Sequence, residues 1–406
     1  MNLLSRILSP RTATRSASQP TSWDHLAGRV ADGDVAVTPP LAENMSAVFA
    51  AVQIISETVA SLPLMVYRED DQGVRTATRQ HPVSRIFAGD ANDWQTAPEW
   101  IETMTAHCLL RGNAYAEIVR DNRGAPVALV PFHPDHVRVV QIPESGRLRY
   151  EVTTPHRGTR RLLADEVLHL KDRSDDGILG KSRLHRARET FQTAMAVERF
   201  AGSTYRNGAA LSGVVTHPDQ IGPEAAKTLR ESIEALYRGS SNAGRIGVFE
   251  EGMSWTALSV SPEDAQMLES RRFSIEQIAR MFRIPPPVLG DLSNGSYSNV
   301  TELGRWFAGH TIRPWLVKWE RTIERALFST EGRRVHHVEF DMDELLRGDM
   351  LTRFQAYRIA REIGVYNANE LRGFERQNPR TDDEADTYLS PMNMQPEQKG
   401  APKENE

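Results

Sequence analysis

The feature that most constrains this chain is the segment 278–319, in which two strong helix patterns flank a loop. The first helix pattern stops at Pro285, Pro286 and Pro287, because consecutive prolines cannot continue a helix. The loop at 285–297 carries one charged residue, Asp291. Connections between helices are usually about two to eight residues long, and longer loops are often functional. The segment therefore predicts two helices that present a nearly uncharged loop, rather than a catalytic pocket.

The two helices carry clear boundary signals. The first should begin at Ser261, because Ser is a good N-cap and Pro262 and Glu263 suit a first helical turn. The second should begin at Ser298 and is rich in aromatic residues. Pro314 lies in its interior, where a proline removes a backbone hydrogen bond and clashes with the preceding turn. The sequence therefore predicts a kink at Pro314.

The residues before these helices predict an α+β arrangement. Helical spacing predicts helices over 45–61 and 98–111, and short strands separated by turn residues follow up to about residue 171. A long helix is predicted over 181–207. Four cationic or titratable residues crowd its start: Lys181, Arg183, His185 and Arg186. Cations at a helix start oppose the helix dipole, so either an acidic partner elsewhere or a contact with DNA should account for them.

The insert at 208–260 should be small and αβ. It contains a strand pattern, a helix pattern over 223–237 and a hairpin pattern around Glu250 and Glu251. Towards the end of the chain, a strand is expected at 335–341, followed by helices over 350–363 and 367–374.

Composition excludes several classes of protein. The formal net charge is −5, with 54 acidic and 49 basic residues, so bulk charge does not equip the chain to hold nucleic acid tightly. The longest apolar run, around 47–55, is far shorter than the roughly 20 residues that span a bilayer. A single cysteine, Cys108, excludes an intrachain disulfide and fits a buried position on a helix.

Several histidines and acids in the sequence are candidate metal ligands or catalytic residues. His133, Asp135 and His136 fall in a turn, and the neighbours His336 and His337 should point to opposite faces of a strand. The best acidic cluster is Asp341, Asp343 and Glu344, which a solvated strand end explains as simply as Mg²⁺ does. No nucleophile elbow, phosphate loop or zinc motif is present in the sequence. We therefore expect no catalytic residue, metal site or cofactor, with a metal-dependent nuclease kept as a remote alternative.

The loop segment also carries a family resemblance. The runs IARMFRIPPPVLGD, YSN and TIRPWL follow each other in order, and earlier blocks such as LLRGNAYAEIVRD, EVLHLK and GILGKSRL precede them. Together they resemble the portal proteins of tailed bacteriophages, which also occur in phage-like gene transfer particles. The resemblance covers roughly 46–374. It implies a non-enzymatic ring of about twelve copies at one capsid vertex, through which DNA is packaged and ejected.

The resemblance implies an α+β, portal-type elongated subunit with named parts. These are a disordered N-terminal arm at 1–39, an α+β wing at 40–180, stem helices at 181–207 and 261–284, a small αβ clip at 208–260, a tunnel loop at 285–297, a long kinked wing helix and strand at 298–346, a short helical crown at 347–376 and a flexible tail at 377–406. An organelle transit peptide is a second interpretation of the arm, because it is rich in Arg and Ser and poor in acids.

The resemblance also implies roles for particular residues. The tunnel loop facing DNA would comprise Leu289, Gly290, Asp291, Leu292, Ser293, Asn294, Gly295, Ser296 and Tyr297. The clip surface that binds partners would include Arg245, Phe249, Glu250, Glu251 and Trp255. The stem would use Lys181, Arg183, Arg186, Arg271 and Arg272. The chain departs from the family pattern at Arg283 and Ile284, where Gly-Val is common.

The implied partners are further copies of the chain, double-stranded DNA held transiently and without sequence specificity, the major capsid protein, the large terminase during packaging, and a head-completion adaptor afterwards. No membrane partner is expected. The implied location is the virion, after assembly in the host cytoplasm. A capsid-associated scaffold or adaptor is the main alternative function, and only a portal requires a closed ring around a duplex-wide channel.

Overall fold

A computed structural model describes residues 37–154, 158–206, 213–216, 222–224, 227–229, 231–232, 253–257, 264–290, 300–346, 350–375, 377–382 and 384–389. The chain divides into two compact units, Met1–Asp341 and Met342–Glu406. Helices and strands are mixed throughout the first unit, which agrees with the predicted α+β class. Among the described helices, none combines the length and apolar character needed to cross a bilayer.

The first unit combines antiparallel sheets with ten described helices, two of which, α6 and α7, have 19 residues each. Its helices are α1 (Pro39–Glu43), α2 (Ser46–Ser61), α3 (Pro82–Ala88), α4 (Ala97–Arg111), α5 (Arg183–Arg186), α6 (Arg188–Arg206), α7 (Asp264–Phe282), α8 (Val300–Trp306), α9 (Arg313–Leu327) and α10 (Gly332–Val335). The predicted helices at 45–61 and 98–111 are confirmed as α2 and α4. A Thr96–Glu99 capping box begins α4, and Gly112, with φ of 79°, ends it.

All strand pairings in the described residues are antiparallel. The strands are β1 (Leu64–Glu69), β2 (Arg75–Ala77), β3 (Asp90–Asn92), β4 (Gln95–Thr96), β5 (Asn113–Arg120), β6 (Pro126–Phe132), β7 (Val137–Gln141), β8 (Leu148–Thr154), β9 (Gly158–Leu163), β10 (Val167–Lys171), β11 (Gly213–Thr216), β12 (Ser254–Ala257) and β13 (His336–Phe340). They form sheets in the orders β13-β1-β2, β10-β5-β6 and β7-β8-β9, with β3-β4 and β11-β12 as two-stranded pairs. The first of these sheets joins distant parts of the chain, because Leu64 pairs with Phe340 and Val66 with Val338.

Part of the core of the first unit lies where Trp319 of α9 meets α4. The rings of Trp100 and Trp319 lie 5.5 Å apart, and both side chains are fully buried. The indole N–H of Trp319 donates to the hydroxyl of Thr105 at 3.0 Å, so the buried polar edge of this large ring is satisfied. Cys108 is fully buried on the same helix, as predicted.

Several elements were not predicted from the sequence, among them α3 and β9. Helix α3 begins with Pro82 after His81, whose ring accepts the N–H of Val83. Strand β9 has only one buried side chain, Leu162, and so lacks the alternation that signals a strand. The predicted helix over 181–207 is also interrupted. It begins at Arg183 after the N-cap Ser182, and Ala187, with φ and ψ of −112° and 31°, separates α5 from α6.

The helix that carries Pro314 is irregular one turn earlier than the sequence predicted. Helix α8 continues into a π-helical stretch, Phe307–Ile312, and Pro314 lies in the first turn of α9. The N–H of Arg313 donates to the carbonyl of Ala308, five residues back. A wider turn before a proline removes the need for a normal helical hydrogen bond at the prolyl nitrogen. The irregularity therefore lies over Phe307–Ile312 and not at Pro314 itself.

The second unit is helical and rests on polar contacts. It contains α11 (Asp343–Leu346), α12 (Met350–Glu362) and α13 (Ala368–Phe374). The carboxylate of Glu375 accepts from Arg353 and from the Tyr357 hydroxyl, at 3.2 and 2.9 Å. The two helices predicted near this end of the chain are confirmed.

The segment predicted as a flexible tail is partly ordered. The carbonyl of Ala385 accepts the N–H of Ala368 at 3.1 Å. The N–H of Arg380 donates to Asn369 at 2.7 Å, and the Tyr388 hydroxyl donates to Glu370 at 2.6 Å. The tail therefore does not begin at 377, because 377–382 and 384–389 are bonded to α13. A polar composition suggested disorder, but these polar groups pair with helix-end backbone and side chains.

Candidate functional site at the helix junction

Helix α7 ends at a residue that has a left-handed backbone conformation but is not glycine. Arg283 follows the helix with φ of 57°, in the left-handed region that favours glycine. The N–H of Ile284 donates to the carbonyl of Ala279 at 2.9 Å, and the hydroxyl of Thr311 donates to the carbonyl of Arg283. A left-handed residue at this position is the usual way in which a helix ends and turns. The terminus therefore directs the chain into the predicted tunnel loop from a fixed position.

The first residues of the predicted loop have regular structure. Pro286–Leu289 forms a 3-10 turn, and Gly290 ends it with φ of 90°. Of the predicted tunnel-loop residues, Leu289 and Gly290 lie in this turn, whereas Asp291 to Tyr297 lie outside the described residues. The prolines that predicted a helix stop thus also form the anchor of the loop.

Asp172 connects three elements beside this terminus. It follows β10, and its carboxylate accepts from Arg183 of α5 at 3.2 Å and from Lys318 of α9 at 3.0 Å. Burial alone would raise the pKa of Asp172, but Arg183, Lys318 and the backbone N–H of Arg173 together lower it below its usual value. Asp172 is therefore ionised and holds two cations from distant parts of the chain.

The same two cations lie over aromatic rings. The guanidinium of Arg183 is 5.5 Å from the ring centres of Phe282 and Trp315, and the ammonium of Lys318 is 4.4 Å from that of Trp315. Arg183 also donates to the carbonyl of Met281 at 3.2 Å. A cation at the end of a helix interacts favourably with the exposed carbonyls and the helix dipole. Arg183 thus stabilises the end of α7 from the start of α5.

A second acidic residue accounts for the remaining cations at the start of α5. Asp175 binds Lys181 and Arg186, each at 2.6 Å. These hydrogen bonds lower the pKa of Asp175 to about 2. The expectation that an acidic partner outside the helix explains this cluster is confirmed, with Asp172 and Asp175 as the partners.

These residues surround an open cleft of about 430 Å³. Its lining combines an aromatic and apolar floor with a cationic rim. The lining residues are Asp172, Arg173, Lys181, Arg183, Arg186, Met281, Phe282, Arg283, His310, Thr311, Pro314, Trp315 and Lys318. The start of α5, the end of α7 and the start of α9 all meet at this cleft.

The structure brings some of the predicted site residues together and leaves others apart. Lys181, Arg183, Arg186 and Pro314 line the cleft, whereas Arg272 is exposed elsewhere on α7. Arg271 lies in α7 and Trp255 in β12. The clip residues Arg245, Phe249, Glu250 and Glu251 lie outside the described residues.

The sequence did not predict a role at the site for Asp172, Asp175 or Lys318. Asp172 directly follows the strand EVLHLK, and Lys318 lies one turn after Pro314, but nothing in the sequence links two residues that are 146 positions apart.

The histidines and acids considered as metal ligands have structural partners. His136 lies in the 3-10 turn Pro134–His136, and the His133 ring contacts those of His107 and His136 at 5.4 and 5.3 Å. His336 stacks with Phe328, whereas His337 lies near Glu69 and Glu324, so the two point to opposite sides as predicted. Within the described residues, no group of three or more histidine, cysteine or acidic side chains is arranged to hold a metal ion.

Comparisons with known proteins agree with this architecture. The family model described as phage portal protein matches residues 46–375. A probable portal protein of Streptomyces phage phiC31 is 29% identical over 395 residues, covering 90% of this chain and 82% of the relative. The portal protein of Enterobacteria phage HK97 is 27% identical over 350 residues, covering 86% of this chain and 82% of the relative.

A solved structure shares the fold. A chain from the neck of a native gene transfer agent particle, obtained with C12 symmetry, is 23% identical and superimposes with a TM-score of 0.54. The match covers 82% of this chain and 90% of that one. The family match covers residues 46–375, which include the antiparallel sheets, both long helices, the junction and the helices after it, and the chain therefore belongs to the phage portal protein family.

Proposed function

We propose that this protein is a portal subunit, whose copies form a closed ring at one vertex of a capsid and surround the channel through which DNA enters and leaves. The observation that carries the proposal is the family match over 46–375, which includes the junction and both helices that meet there. The related neck structure with C12 symmetry supports a ring of about twelve copies.

Within this ring, α6 and α7 correspond to the two stem helices and the segment between them to the clip. Contacts between α6 and α7 support a paired stem. The clip would bind the large terminase during packaging and a head-completion adaptor afterwards, and the outer part of the subunit would contact the major capsid protein. Strands β11 and β12, which pair through Val214 and Thr256, form its described sheet.

The tunnel loop would be the part that touches DNA. Its anchor is rigid, because Arg283, the 3-10 turn Pro286–Leu289 and Gly290 are fixed by backbone hydrogen bonds. A loop with one acidic residue and no Lys or Arg would contact a duplex without gripping its phosphates, which permits sliding. DNA would thus be a transient, non-specific ligand, and the energy for packaging would come from another protein.

The portal would act without catalysis and without a cofactor. The clustered acids Asp341 and Asp343 and the histidines of β13 carry the only competing enzymatic hypothesis, a Mg²⁺-dependent nuclease. The protein would be located in the virion, after assembly in the host cytoplasm.

Electron microscopy of the purified full chain tests the proposal. Negative staining with rotational averaging should show closed rings of about twelve copies with a central channel wide enough for duplex DNA. Open or irregular assemblies would contradict the portal function and favour a scaffold or adaptor. Mg²⁺-dependent DNA cleavage that is lost in Asp341→Asn and Asp343→Asn would favour the nuclease instead.

A further inference from the structure

The cleft at the helix junction is strongly cationic in a chain that is acidic overall. Six permanently charged cations line it: Arg173, Lys181, Arg183, Arg186, Arg283 and Lys318. Within the described residues, the carboxylates of Asp172 and Asp175 offset four of these cations. Asp172 binds Arg183 and Lys318, and Asp175 binds Lys181 and Arg186. Because the whole chain has a formal net charge of −5, this local excess of positive charge is not a general property of the surface.

The excess charge is concentrated on two exposed residues. Arg173 and Arg283 are both exposed, and within the part of the chain that the structure describes neither forms a salt bridge. Arg173 directly follows Asp172, whereas Arg283 lies at the end of α7. The two guanidinium groups thus belong to different elements and line one concave surface.

The backbone strain at Arg283 also indicates that this cleft is functional. The φ of 57° at Arg283 is a conformation that glycine adopts without cost and other residues rarely adopt. An arginine here therefore adds a cation to the cleft at the expense of local strain. Strained non-glycine residues are typical of functional sites.

We propose that the cleft is an oxyanion site that binds phosphate groups, either of the DNA backbone or of free phosphate. Guanidinium groups match the geometry of phosphate oxygens and bind them in pairs of hydrogen bonds. The cleft has a volume of about 430 Å³ and is open on one side, where the backbone of a duplex would contact it. The DNA source rests on the proposed portal function. The site would act as a retaining contact beside a loop that permits sliding.

Two binding measurements on the purified full chain test this site. The first is the affinity for inorganic pyrophosphate, measured by titration calorimetry at low salt. The second is the salt dependence of binding to a labelled, mixed-sequence duplex. The test variants are Arg173→Ala and Arg283→Gly, singly and together. Arg334→Ala removes an exposed arginine that does not line the cleft and serves as the matched control.

The expected result is a loss of roughly tenfold in pyrophosphate affinity for the double variant, because hydrogen bonds to charged groups are lost. The slope of log K against log salt for DNA should become shallower by about 0.9 for each phosphate contact removed. Arg334→Ala should match the wild type. A change in pyrophosphate affinity with an unchanged DNA slope supports the site and assigns it to free phosphate.

Wild-type protein that binds neither probe, or cleft variants that match Arg334→Ala, would overturn the proposal. Loss of rings in the double variant together with absent phosphate binding would instead assign the cleft to carboxylates of a neighbouring copy. Ring formation is scored by microscopy on the same preparations, so a failure of the site and a failure of the portal function give different results.

Discussion

The ammonium of Lys318 and the carboxylate of Asp172 lie 3.0 Å apart, although 146 positions separate the two residues in the chain. Arg183 reaches the same carboxylate from a third element. This contact joins the residue after strand β10, the short helix α5 and the aromatic helix α9. The junction is therefore held by one ionised group.

Replacing Asp172 should destabilise the fold. Asp172→Asn leaves two partly buried cations without a carboxylate, which should cost about 3 kcal/mol in the free energy of unfolding. Urea denaturation at pH 7 measures this loss. Glu276→Gln removes the half-buried partner of the exposed Arg280, one turn earlier in α7, and should change stability by less than about 0.5 kcal/mol. Equal losses for the two variants would contradict a special role for Asp172.

The same carboxylate should contribute to acid sensitivity. Because its pKa is lower in the folded chain than the usual value of 3.8, Asp172 stabilises the fold at neutral pH, and this stabilisation is lost as the pH falls through that value towards the folded pKa. As the pH falls below about 4, the free energy of unfolding should therefore decrease less for Asp172→Asn than for the wild type. Unfolding curves recorded from pH 5 to pH 2 provide the measurement.

Relieving the strain at Arg283 should stabilise the chain. Arg283→Gly is expected to raise the free energy of unfolding by about 1 kcal/mol, because glycine adopts positive φ without the steric cost. Arg283→Ala removes the same charge but keeps the β-carbon, so it should give no such gain. If alanine and glycine stabilise equally, charge repulsion and not backbone strain is the cause.

Gly180, in the connection between β10 and α5, should tolerate no side chain. A β-carbon there would collide with the carbonyl of Gly112, and the amide of Asn113 already bonds both the N–H and the carbonyl of Gly180 at 2.8 Å. Gly180→Ala should cost about 2–3 kcal/mol through overpacking. Gly202→Ala, in open space on α6, should instead stabilise by up to about 1 kcal/mol. Thermal unfolding should show a lower Tm than wild type for Gly180→Ala and a higher Tm for Gly202→Ala.

The buried His169 should make the fold sensitive to mild acid. Burial lowers the pKa of His169 to about 3, and its ring is held between the Tyr150 hydroxyl and Asn113. Between pH 6.5 and 3 the unfolded chain binds a proton that the folded chain does not. Stability should therefore fall with pH by about 1.4 kcal/mol per unit below pH 6 from this residue alone. His169→Gln should flatten that slope in urea unfolding at pH 7, 6 and 5, and an unchanged slope would refute the assignment.

Much of the local structure was predictable because the signals are local. Pro98 and Glu99 in the first turn of α4, Gly112 at its end, and the three prolines after α7 all act on their immediate neighbours. The cleft was not predictable, since it depends on the spatial meeting of Asp172, Arg183 and Lys318. Pro314 illustrates the difference. The sequence indicated an irregular helix, but it did not indicate that the irregularity would be a π-helical stretch before the proline.

The meeting of α5 and α7 at one cleft has an architectural consequence. Arg183, near the start of α5, and Phe282, at the end of α7, line the same surface. Because α5 leads into α6, the two long helices each have one end near a single cleft, in a unit whose sheet pairs β1 with β13. Whole helical turns can therefore be added at the far ends of both helices without changing the residues that line the cleft.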